Sequence, residues 1–244
     1  MISIADVTRE LAGAGVDVRR LALAWARVMP SVVLVPAFGL RALPGAGRAV
    51  MALAFAAGIV PAVGSSAQPI DGAFPVLVVA EAMRGLPVAL AAAVPLWAAT
   101  MAGGVADALR GAQNAPPMAT VEGPATPLGV ALSLLASAMF LSTGGPARVV
   151  RALALTPASG DPLGRAASDI VGGITLAVAL GGPLLAAAVV IETAAALIAR
   201  AASPAQIHAL LAPVRALGAV AVLAIVLDRL AGVLARAVQA APPP

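Results

Sequence analysis

Phe74 to Ala102 reads FPVLVVAEAMRGLPVALAAAVPLWAATMA, an apolar run whose only charges are Glu81 and Arg84. As a helix rising about 1.5 Å per residue, it is long enough to cross the ~30 Å hydrocarbon core of a bilayer. The run has no alternation of apolar and polar positions, and lipid forces a spanning backbone to pair its polar groups within helices or closed barrels. The stretch is therefore a membrane helix. Glu81 and Arg84, three residues apart, share one of its faces and can pair.

Five further apolar segments flank this one. Leu21 to Leu40 is interrupted by Arg27, Pro30 and Pro36, and Ala49 to Val63 is short for a full span. Leu128 to Thr143 follows, then Ile170 to Ala199, where Gly181, Gly182 and Pro183 predict a kink, and finally Leu210 to Leu234. Residues 1–20 read as an amphipathic lead-in helix, not a signal peptide, because no small-residue cleavage pattern follows the long apolar stretch. The connections are Arg41 to Arg48, Gly64 to Gly72, the Gly/Pro-rich polar loop Gly103 to Thr126, the mixed stretch Gly144 to Ser168, and the turn Ala201 to His208. The tail from Ala240 is expected to fray. The expected fold is all-α, an integral membrane protein of about six apolar helical segments with Pro and Gly breaks, in one membrane domain over 1–244. If all six cross, the excess of arginine outside the segments puts both termini in the cytoplasm.

Composition agrees with this reading. Hydrophobic residues make up 61% of the 244 and charged residues 11%, against roughly 25% charged in a soluble domain. Too few charges remain to coat a soluble surface of this size. The basic residues are all arginine, scattered through apolar sequence, and there is no tyrosine. That pattern speaks against nucleic-acid binding, which needs a basic patch interleaved with stacking aromatics. The chain has no cysteine and one histidine, His208, so neither a zinc site nor a Ser-His-Asp triad can be assembled from visible parts. It also lacks the Gly-x4-Gly-Lys-Ser/Thr phosphate loop. No cofactor is expected, and no enzyme.

Arg27, Glu81, Glu192 and Asp228 lie in or beside apolar segments, where an unpaired charge costs about 2.5–3.5 kcal/mol or more. Partners are therefore expected: Arg84 for Glu81, carbonyls of a neighbouring helix for Arg27, and Arg229 for Asp228. Glu192 lies deepest in an apolar run. Two readings stay open at this point. The charges are structural pairs, or Glu81 and Glu192 are coupling sites of a small-solute secondary transporter.

The order of certain residues adds a resemblance. Arg27 is followed by Pro36-Ala37-Phe38-Gly39, Leu43-Pro44, Arg48 and Pro61; then come Glu81 with Gly85, Ala102-Gly103, Asp107 and Arg110-Gly111. Gly144-Gly145 comes next, then Pro183, Glu192, Arg200, Pro204, Gln206-Ile207, Pro213 and Arg215. In order and spacing this resembles the SctT/FliR family of type III secretion and flagellar export-apparatus proteins, over about residues 20–230. It departs at Pro146, where the family has histidine, and around Val121 to Pro124.

The resemblance implies a non-enzymatic subunit of a bacterial inner-membrane export gate, built by helical-hairpin packing with SctR/FliP-like and SctS/FliQ-like subunits. SctU/FlhB-like and SctV/FlhA-like proteins are implied as further partners, with unfolded proteins as cargo and the lipid bilayer as surroundings. The loop Gly103 to Thr126 is similar in position to the family's pore plug, with Gly103, Gly104, Gly111, Pro116, Pro117 and Met118 as candidate plug residues. Arg27, Arg48, Glu81, Asp107, Arg110, Glu192 and Arg200 are then candidate assembly and packing charges.

Overall fold

A computed structural model describes residues 13, 15, 17–38, 44–65, 73–109, 126–157, 161–201 and 208–241. Among these, the chain is helical with no strand. The helices are α1 (Val18–Leu34), α2 (Gly45–Ser65), α3 (Phe74–Leu109), α4 (Pro127–Ser142), α5 (Gly145–Leu155), α6 (Pro162–Ala201) and α7 (His208–Ala240). Each of the six expected apolar segments contains a helix. Four helices, α2, α3, α6 and α7, are long and apolar enough to cross a membrane, and a fifth crossing is available if α4 and α5 count as one broken span. The protein is an all-α integral membrane protein.

Several expected boundaries move. The first apolar segment does not reach Leu40. The helix begins after Asp17, whose Oδ1 accepts from the backbone N–H groups of Arg19 and Arg20 at 3.0 and 3.2 Å, and it ends before the extended Val35, which precedes Pro36. At 17 residues, with three arginines, α1 falls outside the candidate spans. The second segment is longer than expected, because the helix takes in Gly45 to Arg48 and reaches 21 residues. Gly144 to Ser168 is not a plain connection: it contains α5 and the start of α6. Gly144 takes a left-handed φ of 75° at the turn into α5, a conformation glycine adopts without a steric penalty. The helical assignment of α6 continues through Gly181, Gly182 and Pro183.

The expected loop Gly103 to Thr126 starts later than its composition suggests. Gly103, Gly104 and Asp107 belong to α3, which runs to Leu109. Arg110, Gly111, Pro116, Pro117 and Met118 lie outside the described residues, as do most of the expected lead-in helix and the end of the tail.

The chain divides into two compact units. The first takes the chain up to Ala93 together with Gly144–Asp169, and the second takes Val94–Thr143 and Ile170–Ala241. In the first unit α1 packs on α2, and both touch α5. Ala24, Ala52 and Ala56 are fully buried, so these helices approach closely around Val28, Val32 and Ile59. Phe38 and Phe55 meet edge to face with ring centres 5.3 Å apart. The second unit has its own core of Leu96, Ala99, Phe140, Leu180, Leu230 and Val238. Its α4 packs on α7.

Candidate functional site

Arg27 projects from the middle of α1 and is 3% exposed. A guanidinium this deep needs partners for its donors, and it has them. Its Nε donates to Glu81 Oε2 at 2.6 Å, Nη2 stands 2.6 Å from the same oxygen, and Nη1 donates to the carbonyl of Leu153 at 3.2 Å. The other Glu81 oxygen, Oε1, accepts from Arg84 one turn along α3. One carboxylate therefore bridges two arginines, and the cluster keeps a net charge of +1.

The position of Leu153 explains the third bond. It lies in the last turn of α5, where carbonyls lack intrahelical donors, and the Arg27 guanidinium supplies one. Helix spacing at this cluster is set by Gly85. A methyl group built on Gly85 would overlap the Arg27 carbonyl oxygen and stand 2.9 Å from its carbonyl carbon. Without a side chain at that point, α3 lies directly on the α1 backbone. Glu81 thereby comes within hydrogen-bond reach of an arginine 54 positions earlier.

The second unit holds a different arrangement. Asp107 is fully buried, and its Oδ2 accepts from the backbone N–H groups of Leu128 at 2.6 Å and Gly129 at 3.3 Å. Thr126, at the usual capping position of α4, makes no side-chain cap bond. Asp107 therefore caps α4 from another helix, placing a carboxylate at the positive end of the helix dipole. Glycines permit the approach. A methyl on Gly103 would meet Leu128 O at 2.5 Å and the Gly129 N and Cα at 2.6 Å, and one on Gly129 would meet Thr100 O at 3.1 Å. Asp107→Ala is expected to cost about 1–2 kcal/mol through loss of the cap, read as a lower unfolding temperature. Asp107→Asn, which keeps one acceptor oxygen, should lose less. An alanine variant as stable as the parent would remove the capping role.

The remaining candidate charges are not gathered at one place. Glu192, deep in its apolar run, has a side chain 49% exposed, and its Oε2 pairs with Arg215 at 3.3 Å. Arg48 sits half-buried in the first turn of α2, with its Nε buried and without a hydrogen-bond partner. Arg200 is exposed in the last turn of α6, where the carbonyl ends favour a cation. Asp228 and Arg229 are both exposed on α7. A transporter site needs carboxylates poised in a cavity. Glu81 uses both oxygens on arginines and Glu192 pairs with Arg215, so neither is poised in that way.

The sequence reading found the Glu81–Arg84 pair and a carbonyl partner for Arg27, and it missed the Arg27–Glu81 pair and the Asp107 cap. Gly85 beside Glu81 and Gly103 beside Asp107 were the available signals, each a helix glycine one turn from a buried carboxylate. No curated protein matches the chain. The family model described as bacterial export proteins, family 1, matches residues 18–241. Arg27, Glu81, Gly85, Gly103 and Asp107 all fall inside that match, and the chain belongs to this SctT/FliR family of bacterial export-apparatus membrane proteins.

Proposed function

We propose that this chain is a wall and closure subunit of the type III secretion or flagellar export gate in the bacterial inner membrane, through which unfolded proteins pass. The observation that carries this reading is the family match over residues 18–241, and the exposed apolar surface of α6 supports it. Val171, Ile174, Val178, Leu185 and Val189 lie along one face of the helix, while Val190, Leu197 and Ile198 are exposed on other sides. An apolar helix exposed on several sides calls for lipid and for neighbouring subunits, and the family supplies candidates of the SctR/FliP and SctS/FliQ kinds, with SctU/FlhB-like and SctV/FlhA-like proteins further out.

The closure element in this reading is the segment 110–125, with Gly111, Pro116, Pro117 and Met118, held at its base by the Asp107 cap on α4. Gly103 serves that base as a helix-packing residue. The chemistry of the wall is passive: the subunit shapes and seals a path, and the driving energy comes from elsewhere in the apparatus.

Co-expression with the SctR-like and SctS-like chains of the same genome, followed by native mass spectrometry, tests this. A heteromeric particle with one copy of this chain is expected, and deleting 112–120 should make the reconstituted particle leak ions. A stable lone chain that ignores those partners would overturn the assembly. A deletion variant as tight as the parent would overturn the closure role.

A further inference from the structure

The start of α6 carries charges that the fold leaves unused. Asp161 caps the helix, its Oδ1 accepting from the backbone N–H groups of Leu163 and Gly164 at 3.1 and 3.0 Å. Arg165 follows one turn later and Asp169 one turn after that, so the three share a face. This spacing would let Arg165 pair with either carboxylate. Among the described residues, however, neither Arg165 nor Asp169 makes an ion pair. Asp169 is half-buried, and a carboxylate partly withdrawn from water gains from a cationic partner.

Both side chains line a cavity of about 370 Å³ that lies wholly within the first unit. Facing them are Pro87, Val88 and Ala91 of α3 and Ala152 and Leu155 at the end of α5. The cavity is therefore two-sided: opposite charges and the Ser168 hydroxyl on α6 look across at hydrocarbon. Its depth is also defined by the sequence of α6. From Ile170 to Ala199 that helix carries no charge except Glu192, so Arg165 and Asp169 stand at the entry to its apolar run, where a spanning helix meets headgroups. Arg84, one turn before Val88 on the same face of α3, belongs to the buried cluster of net charge +1 and adds positive potential nearby.

We propose that this cavity binds a phospholipid with a primary-amine headgroup, its phosphate on Arg165, its ammonium on Asp169 and the start of an acyl chain along Val88, Ala91 and Leu155. The inference needs the chain to lie in a membrane and does not depend on the gate reading. In a phosphoethanolamine headgroup a two-carbon link separates anion from cation, a short spacing that suits side chains one helical turn, about 6 Å, apart. A phospholipid without the amine would leave Asp169 facing its phosphate. A peptide strand from a partner subunit matches the walls poorly, because its backbone N–H and C=O groups need hydrogen bonds. Pro87 and Pro157 have no N–H to give, and the Thr156 hydroxyl already donates to the Ala152 carbonyl at 2.8 Å. A partner helix, about 10–12 Å across, is wider than a cavity of this volume.

The purified full chain is titrated in detergent with phosphatidylethanolamine, phosphatidylglycerol or water-soluble phosphoethanolamine. Bound molecules are counted by native mass spectrometry and read again as a rise in unfolding temperature. Phosphatidylethanolamine is expected to bind about tenfold more tightly than phosphatidylglycerol, and phosphoethanolamine, which lacks acyl chains, more weakly than either lipid. Asp169→Asn should erase the preference between the two lipids, and Arg165→Gln should weaken both by about tenfold. Equal binding of the two lipids by the parent chain would overturn the inference, a comparison that holds even where a variant fails to fold. A preference that survives Asp169→Asn would overturn it as well. Phosphoethanolamine binding as tightly as the lipid would assign the cavity to a soluble phosphate ester instead. The chain has no cysteine, so Ser168→Cys reports a protein occupant: a thiol that lipid leaves reactive to maleimide and that partner subunits alone protect would make the cavity a subunit contact and overturn the lipid site.

Discussion

Replacing Glu81 with alanine should lower the stability of the first unit by about 3–5 kcal/mol, the usual consequence of removing one partner from a buried ion pair. The reason lies in what remains. Arg27, 3% exposed, would keep only the Leu153 carbonyl for its donors, and Arg84 would lose its counter-ion on the same helix. Thermal unfolding of the purified chain should show the loss, together with poorer recovery of folded protein from membranes. The double replacement Arg27→Met with Glu81→Leu should recover part of it, because it removes the deeply buried charge, although the partly exposed Arg84 still lacks its counter-ion. If Glu81→Ala unfolds at the parent temperature, the bridging carboxylate is not what holds α1 and α3 together.

Gly103→Ala and Gly104→Ala should behave differently although the positions are adjacent. At Gly103 the added methyl would press on backbone, 2.5 Å from Leu128 O and 2.6 Å from Gly129, so a helix would have to move. Overpacking of this kind costs about 1–3 kcal/mol, and the shift would also pull Asp107 away from its two N–H donors. At Gly104 the nearest atom is Thr126 Oγ1 at 3.7 Å, an ordinary contact, and removing a helix-interior glycine is worth up to about 1 kcal/mol in favour of the variant. Unfolding temperatures measured side by side decide it. Equal effects would mean that α3 and α4 do not rely on a glycine contact at Gly103.

Much of the fold was legible because lipid simplifies the problem. Long apolar runs are best closed as helices, and each of the six contains one. The sequence says less about which side of such a helix faces inward, since an all-round apolar helix carries no stripe to read. Glu192 shows this: the length of its run does not say which way it faces, and its side chain stands half-exposed beside Arg215. Local pairs were visible, as with Glu81 and Arg84, but the Arg27 bond to Glu81 depends on Gly85 letting two backbones touch. Gly103 to Asp107 was read as loop because glycine and a carboxylate usually mark one in water-soluble chains. In a membrane bundle the same residues mark a close helix crossing with its own cap.

The imported cap on α4 also orders events during synthesis. The helix has 16 residues, begins with Pro127 and has no side-chain cap of its own, and a helix nucleus is costly to form unaided. Its missing acceptor sits on α3, which leaves the ribosome earlier. The first turn of α4 is therefore expected to form against α3, with Asp107 as a docking peg for the nascent chain as well as a lock in the finished fold.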